Sequence, residues 1–89
     1  MADSGSILTK SGELSEVTNW YYEAIEGGLP GRFKIRFQIA WANTQSPDVL
    51  VDGKLRLAGK NFTIHHIYRV EQWSNEDIEV YCIAYEEEK

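Results

Sequence analysis

The sequence predicts a mainly β protein, a small antiparallel β-barrel or sandwich forming a single domain over residues 1–89. Three observations predict it. The stretch "GRFKIRFQIAW" (31–41) alternates apolar and polar residues, the two-residue period of a half-buried strand. Further short runs rich in β-branched and aromatic residues follow, punctuated by turn signals such as Asp52-Gly53 and Gly59-Lys60-Asn61. At 43% hydrophobic and 12% aromatic, 89 residues can fill one core, though they stand near the lower limit for a single-core fold. Closing the sheet would also hide edges that invite aggregation.

Along the chain, residues 1–6 read as a mobile polar tail. "ILTKSGELSEV" reads as two short strands turned at Ser11-Gly12. The next segment supports two readings. Leu14, Val17, Tyr21, Ala24 and Ile25 fall at helical spacing, which predicts one short helix near residues 13–26. "VTNWYY" instead favours a pleated surface, and strand over residues 19–26 is the preferred reading. "GGLPG" is a loop, and residues 32–41 form the clearest strand, with Phe33, Ile35, Phe37, Ile39 and Trp41 facing one way. "ANTQSP" is again loop.

"DVLV" and "KLRL" flank Asp52-Gly53, a dipeptide suited to a type I′ hairpin. In the following run Phe62, Ile64, Tyr68 and Val70 keep one phase while Ile67 breaks it, so a bulge is expected near His65-His66. "QWSNED" turns the chain into a last strand, with Ile78, Val80, Cys82 and Ala84 on one face. Residues 86–89 read as a solvated tail.

The formal charge of −5 hides a segregation. Residues 1–26 carry five carboxylates against Lys10, for a net −4. Residues 27–70 carry seven cations against Asp48 and Asp52, for +5. Residues 71–89 carry seven carboxylates against Lys89, for −6. Such an acidic–basic–acidic chain has patches with which copies of itself could pair.

Candidate chemistry is sparse. His65 and His66 are adjacent, so on a regular strand they point to opposite faces, and no other ligand lies at metal spacing; no metal site is expected. Cys82, the only cysteine, lies in an apolar phase and reads as packing, and it excludes an internal disulfide. No nucleophile, phosphate-binding or dinucleotide motif is present, so neither catalysis nor a cofactor is expected. "NFT" (61–63) matches a glycosylation sequon, but "MADSGSILTK" lacks the pattern of a secretory signal. No apolar run approaches the roughly 20 residues needed to span a bilayer. The expectation is a soluble protein of a reducing compartment, with no membrane partner.

What remains is the polar side of the quoted strand. Arg32, Lys34 and Arg36 line it, and three readings apply. They pair with Glu23, Glu26 or Glu79 on neighbouring strands, they contact phosphate beside stacking aromatics such as Trp41, or they meet the acidic face of an adjoining subunit. The pI near 4.9 argues against the second.

The run from "FKIRFQIAW" through "SPDV" to "LRLAGKNFTIHHIYRVEQWSNEDIEVYCIAYEE" resembles the head–tail connector proteins of tailed bacteriophages over about residues 32–85. Phe33, Ile35, Arg36, Pro47, Asp48, Gly59, Phe62, Ile64, Ile67, Val70, Val80 and Cys82 carry the likeness. They are core and turn positions, not catalytic ones. The lead-in "NWYYEAIEG" matches only loosely and "DVLVDGKLRLAG" is longer than the usual link, which leaves adaptor, head-closure stopper and tail-proximal joining protein all open.

The resemblance implies a non-enzymatic virion protein made in a bacterial cytoplasm. It would be a β-barrel subunit of a homo-oligomeric ring between portal and tail, through which DNA passes without specific binding. Contact would then fall on Arg32, Lys34 and Arg36 against Glu79, Glu86 and Glu87. Two rival readings are a small acidic inhibitor that mimics DNA to bind a basic host protein, and a β-barrel binder of single-stranded nucleic acid.

Overall fold

A computed structural model of the chain describes residues 5–28, 30–40 and 47–87. Six strands form a closed antiparallel barrel: β1 (Gly5–Leu8), β2 (Leu14–Ala24), β3 (Arg32–Ala40), β4 (Lys54–Leu57), β5 (Lys60–Gln72) and β6 (Asp77–Glu86). Their order around the barrel is β1-β2-β3-β6-β5-β4, so β1 stands across the barrel from β6. A 3-10 turn, Pro47–Leu50, precedes β4.

The inward sets of the strands make one core. Ile35, Phe37 and Ile39 of β3 meet Ile78, Val80, Cys82 and Ala84 of β6, and Ile7, Val17, Leu50, Leu55, Leu57, Phe62 and Ile64 complete it. Half-buried Phe33 and Tyr22 pack edge-to-face at 5.7 Å, and both rings lean on Phe62. The two-residue period of β3 holds through Ala40; Trp41, residues 42–46 (expected as loop) and Leu29 lie outside the described residues, as do 1–4 and 88–89. Gly5, Ser6 and Glu86, expected in tails, are paired strand residues. Glu87 is tied down as well, since its N–H donates to the Asn61 carbonyl.

Residues 14–24 are strand throughout, which corrects the helical reading of 13–26. The strand carries a bulge: Asn19 and Trp20 together oppose the single residue Phe37, and Asn19 takes a left-handed φ of 48°. The inward set therefore runs Val17, Trp20, Tyr22, whereas Leu14, Tyr21 and Ala24, which made the helical spacing, stand exposed. In β5 the expected bulge occurs at His65, between Ile64 and His66, and a second follows at Tyr68. Ile67 thereby turns onto the core, whereas Tyr68, expected inward, stands at the surface.

The expected hairpin between "DVLV" and "KLRL" does not form. Pro47 presets the φ of a helical turn and lacks the N–H that such a turn leaves unpaired. The turn then drops Leu50 into the core. Asp52 has φ 69° but Gly53 does not share it. Glycine is needed there for another reason: a Cβ would lie 2.9 Å from the Leu50 carbonyl oxygen and 3.3 Å from that of Leu8. The next turn sits one residue earlier than expected, on Ala58-Gly59. Both residues have positive φ (52° and 82°), the signature of a type I′ hairpin.

Candidate functional site: the outer face of β2, β3, β6 and β5

Because Ile35 and Phe37 point inward, Lys34, Arg36 and Gln38 point out, and register fixes what lies beside them. Tyr21, Arg36, Tyr81 and Arg69 form one row across four strands. The rows beside it are Thr18, Gln38, Glu79, Glu71 and Glu23, Lys34, Ile83, His66. The Arg36 guanidinium lies 5.7 Å from the centre of the Tyr21 ring, and that of Arg69 lies 5.3 Å from Tyr81. Tyr68, thrown outward by its bulge, sits 6.2 Å from Tyr81. Tyr21, Lys34, Arg36, Tyr68 and Tyr81 line a shallow groove of about 170 Å³. Tyr21 is 54% exposed and Tyr68 47%.

Beneath this plate runs a hydrogen-bonded chain. Asn19 Nδ2 donates to Gln38 Oε1 (2.8 Å), Gln38 Nε2 to Glu79 Oε2 (3.4 Å), and the Tyr81 hydroxyl to Glu79 Oε1 (2.9 Å). Glu79 also faces Arg36 Nε at 3.7 Å, and its side chain is only 10% exposed. The Tyr81 hydroxyl is held above its ordinary pKa, first because its proton is shared with Glu79, then by desolvation and by the charges of Glu79 and Glu71. Gln38, polar yet buried, is satisfied in the same way. The network ties β2, β3 and β6 together by side chains and leaves the Tyr21 and Tyr68 rings outside it.

The six residues expected at an interface fare differently. Lys34 and Arg36 are on the plate and exposed. Arg32 is half-buried: its guanidinium lies over the Tyr85 ring at 5.1 Å and donates to the Tyr85 hydroxyl. Glu79 answers Arg36 of its own chain, Glu86 lies 3.6 Å from Lys60, and Glu87 pairs with Lys54 and Thr63. Hydrogen bonds from Lys54 and Thr63 hold the Glu87 carboxyl below its ordinary pKa.

The acidic–basic–acidic order of the sequence is thus largely answered within the sheet, where basic β3 stands between β2 and β6. Three cations of the plate (Lys34, Arg36, Arg69) face three carboxylates (Glu23, Glu79, Glu71), so a phosphate chain gains little there.

The residues that sequence reasoning missed are Tyr68, Tyr81 and Arg69. Tyr81 was open to discovery, since it alternates with Val80 and Cys82. Tyr68 was not, because its direction depends on a bulge.

Elsewhere the described residues hold no group of three His, Cys, Asp or Glu side chains that could bind a metal. His65 and His66 are both exposed, and the His65 ring rests 5.0 Å from Tyr85. Cys82 is fully buried, and desolvation pushes its thiol up to about 12. No helix among the described residues is long and apolar enough to cross a membrane.

On the opposite side of the barrel, Leu8 and Leu14 are register partners and stand 42% and 71% exposed. Leu14 borders a depression of about 590 Å³ that it shares with Ser6, Glu16 and Arg56. No protein-family model, curated protein or solved structure matches this chain.

Proposed function

We propose that this chain is a non-enzymatic structural subunit of a tailed-phage head–tail connector, a rigid barrel whose work is done by its outer faces. The observation that carries the reading is the Tyr21–Arg36–Tyr81–Arg69 row with Tyr68 beside it. Tyrosine and arginine are the residues most enriched where protein partners bind tightly, because they bring large contact area with few rotatable bonds to freeze. Here the Glu79 carboxylate already holds Tyr81 and faces Arg36, which lowers the entropy those two side chains lose on contact.

The interior offers a partner nothing, since it is filled by the side chains of the core cluster. The near-neutral plate also favours a protein partner over nucleic acid. The resemblance over residues 32–85 supports a partner within the connector assembly, a neighbouring subunit or a portal or tail component.

The test is size-exclusion chromatography with light scattering, using the purified chain with tailed-phage portal and tail proteins. Co-elution with the portal or a tail component is the expected result. Binding to none of them, or retention of a single-stranded oligonucleotide instead, would overturn the proposal.

A further inference from the structure

We infer that the tyrosine–arginine plate is covered by the β1–β2 ridge of a second copy of this chain, head to tail. The inference rests on the assembly reading above and adds which surfaces meet. Topology provides the first ground. β1 lies across the barrel from β6, so the ridge around Leu8 and Leu14 points away from the plate around Tyr81. Two unlike patches on opposite sides make a heterologous contact, which propagates into a ring or an open chain and never closes as a two-fold dimer.

Shape and charge provide the second ground. The ridge has a concavity of about 590 Å³ walled by exposed Leu14, and the plate carries outstanding rings at Tyr21 and Tyr68. Glu13 and Glu16 flank Leu14, both exposed and without an ion pair within 4 Å among the described residues. Lys34 on the plate is exposed and unpaired by the same measure. Ridge on plate brings those carboxylates to that ammonium.

Area is compatible as well. A standard contact covers roughly 800 Å² per partner. Two such faces would take roughly a quarter of the 5932 Å² surface and leave the barrel ends free.

Cysteine trapping tests the arrangement, because native Cys82 is buried and the wild type serves as a blank. Leu14→Cys and Tyr68→Cys are prepared separately, both at exposed positions, and oxidised at high protein concentration. The mixture should yield disulfide-linked dimers several-fold above either variant alone, and the doubly substituted chain should yield a ladder of multimers. Adding Glu16→Lys to the first variant should lower the yield, and Lys34→Glu in the second should restore it. Equal cross-linking by a single variant with itself would overturn the inference in favour of a two-fold contact. No cross-linking in any mixture would overturn it outright. A chain that binds portal without cross-linking refutes only this contact; one that cross-links but binds no portal or tail protein refutes only the phage assignment.

Discussion

Cys82 offers a quantitative test of the barrel interior. It sits mid-β6, in register with Ile35 on one side and Ile67 on the other, with no accessible surface. Burial raises its pKa from 9.0 to about 12 in the folded chain, because no partner there compensates a thiolate. The sign follows from linkage. A group whose folded pKa is raised gives its full contribution below the unfolded value, and that contribution disappears as pH climbs towards the folded value. Between pH 9 and 12 the unfolded chain sheds the thiol proton while the native chain keeps it, which costs the native state about 1.4 kcal/mol per pH unit.

Cys82→Ala removes that titration and leaves a small cavity, costing about 1–2 kcal/mol at neutral pH. Urea unfolding of both proteins across the alkaline range isolates the thiol, since the lysines and tyrosines common to both cancel in the difference. The variant should be the weaker protein at pH 7, draw level near pH 10, and become the more stable one above it. Stability curves that stay parallel from pH 7 to 11 would mean that the thiol titrates normally, and the assignment of residues 78–84 to the core face would fall.

Four other outcomes follow from the same geometry. Ala58 occupies a left-handed φ at about 1 kcal/mol of strain, so Ala58→Asn should raise the melting temperature by about 4 °C, read by circular dichroism; a lower value would contradict the type I′ assignment. Gly53→Ala should cost about 1–3 kcal/mol in urea titration, because the new methyl meets two backbone oxygens that have nowhere to go. Glu79→Gln should bring the Tyr81 hydroxyl back down towards 10.0, visible in the tyrosinate absorbance titration; an unchanged titration would remove the hydrogen bond from the account. Lys54→Ala should let the Glu87 carboxyl rise towards its ordinary value, followed by carboxyl chemical shifts during an acid titration.

Strands with an unbroken two-residue period were legible from the residues. β3 and β6 show it best: the side chains that alternate in sequence alternate in space, and their inward sets form the middle of the core. β2 and β5 were harder for one shared reason. A bulge adds a residue to the count between inward positions, so Val17, Trp20, Tyr22 and Phe62, Ile64, Ile67 mix steps of two and three. Read in sequence, a step of three suggests a helix or an error of phase.

The bulge at His65 could be inferred because Ile67 had no other way to reach the core. The one at Tyr68 could not, since tyrosine suits either face. "DVLV" failed for a different reason: four residues with one buried leucine among them serve a strand or a 3-10 turn equally well, and only the preceding proline separates them. The basic row at Arg32, Lys34 and Arg36 was visible, but its meaning depended on strand order. With β3 between β2 and β6, Arg36 is answered by Glu79 and Arg32 lies over Tyr85, which leaves Lys34 without an ion pair among the described residues. Around it the exposed surface is largely aromatic.

The most direct measurement is therefore tyrosine nitration of the chain free and in its assembled complex, mapped by mass spectrometry. Half-buried Tyr22 and Tyr85 serve as internal references. Tyr21 and Tyr68 should react readily in the free barrel and become protected on assembly. If both remain as reactive in the complex as in the free chain, the outer plate is not where partners meet.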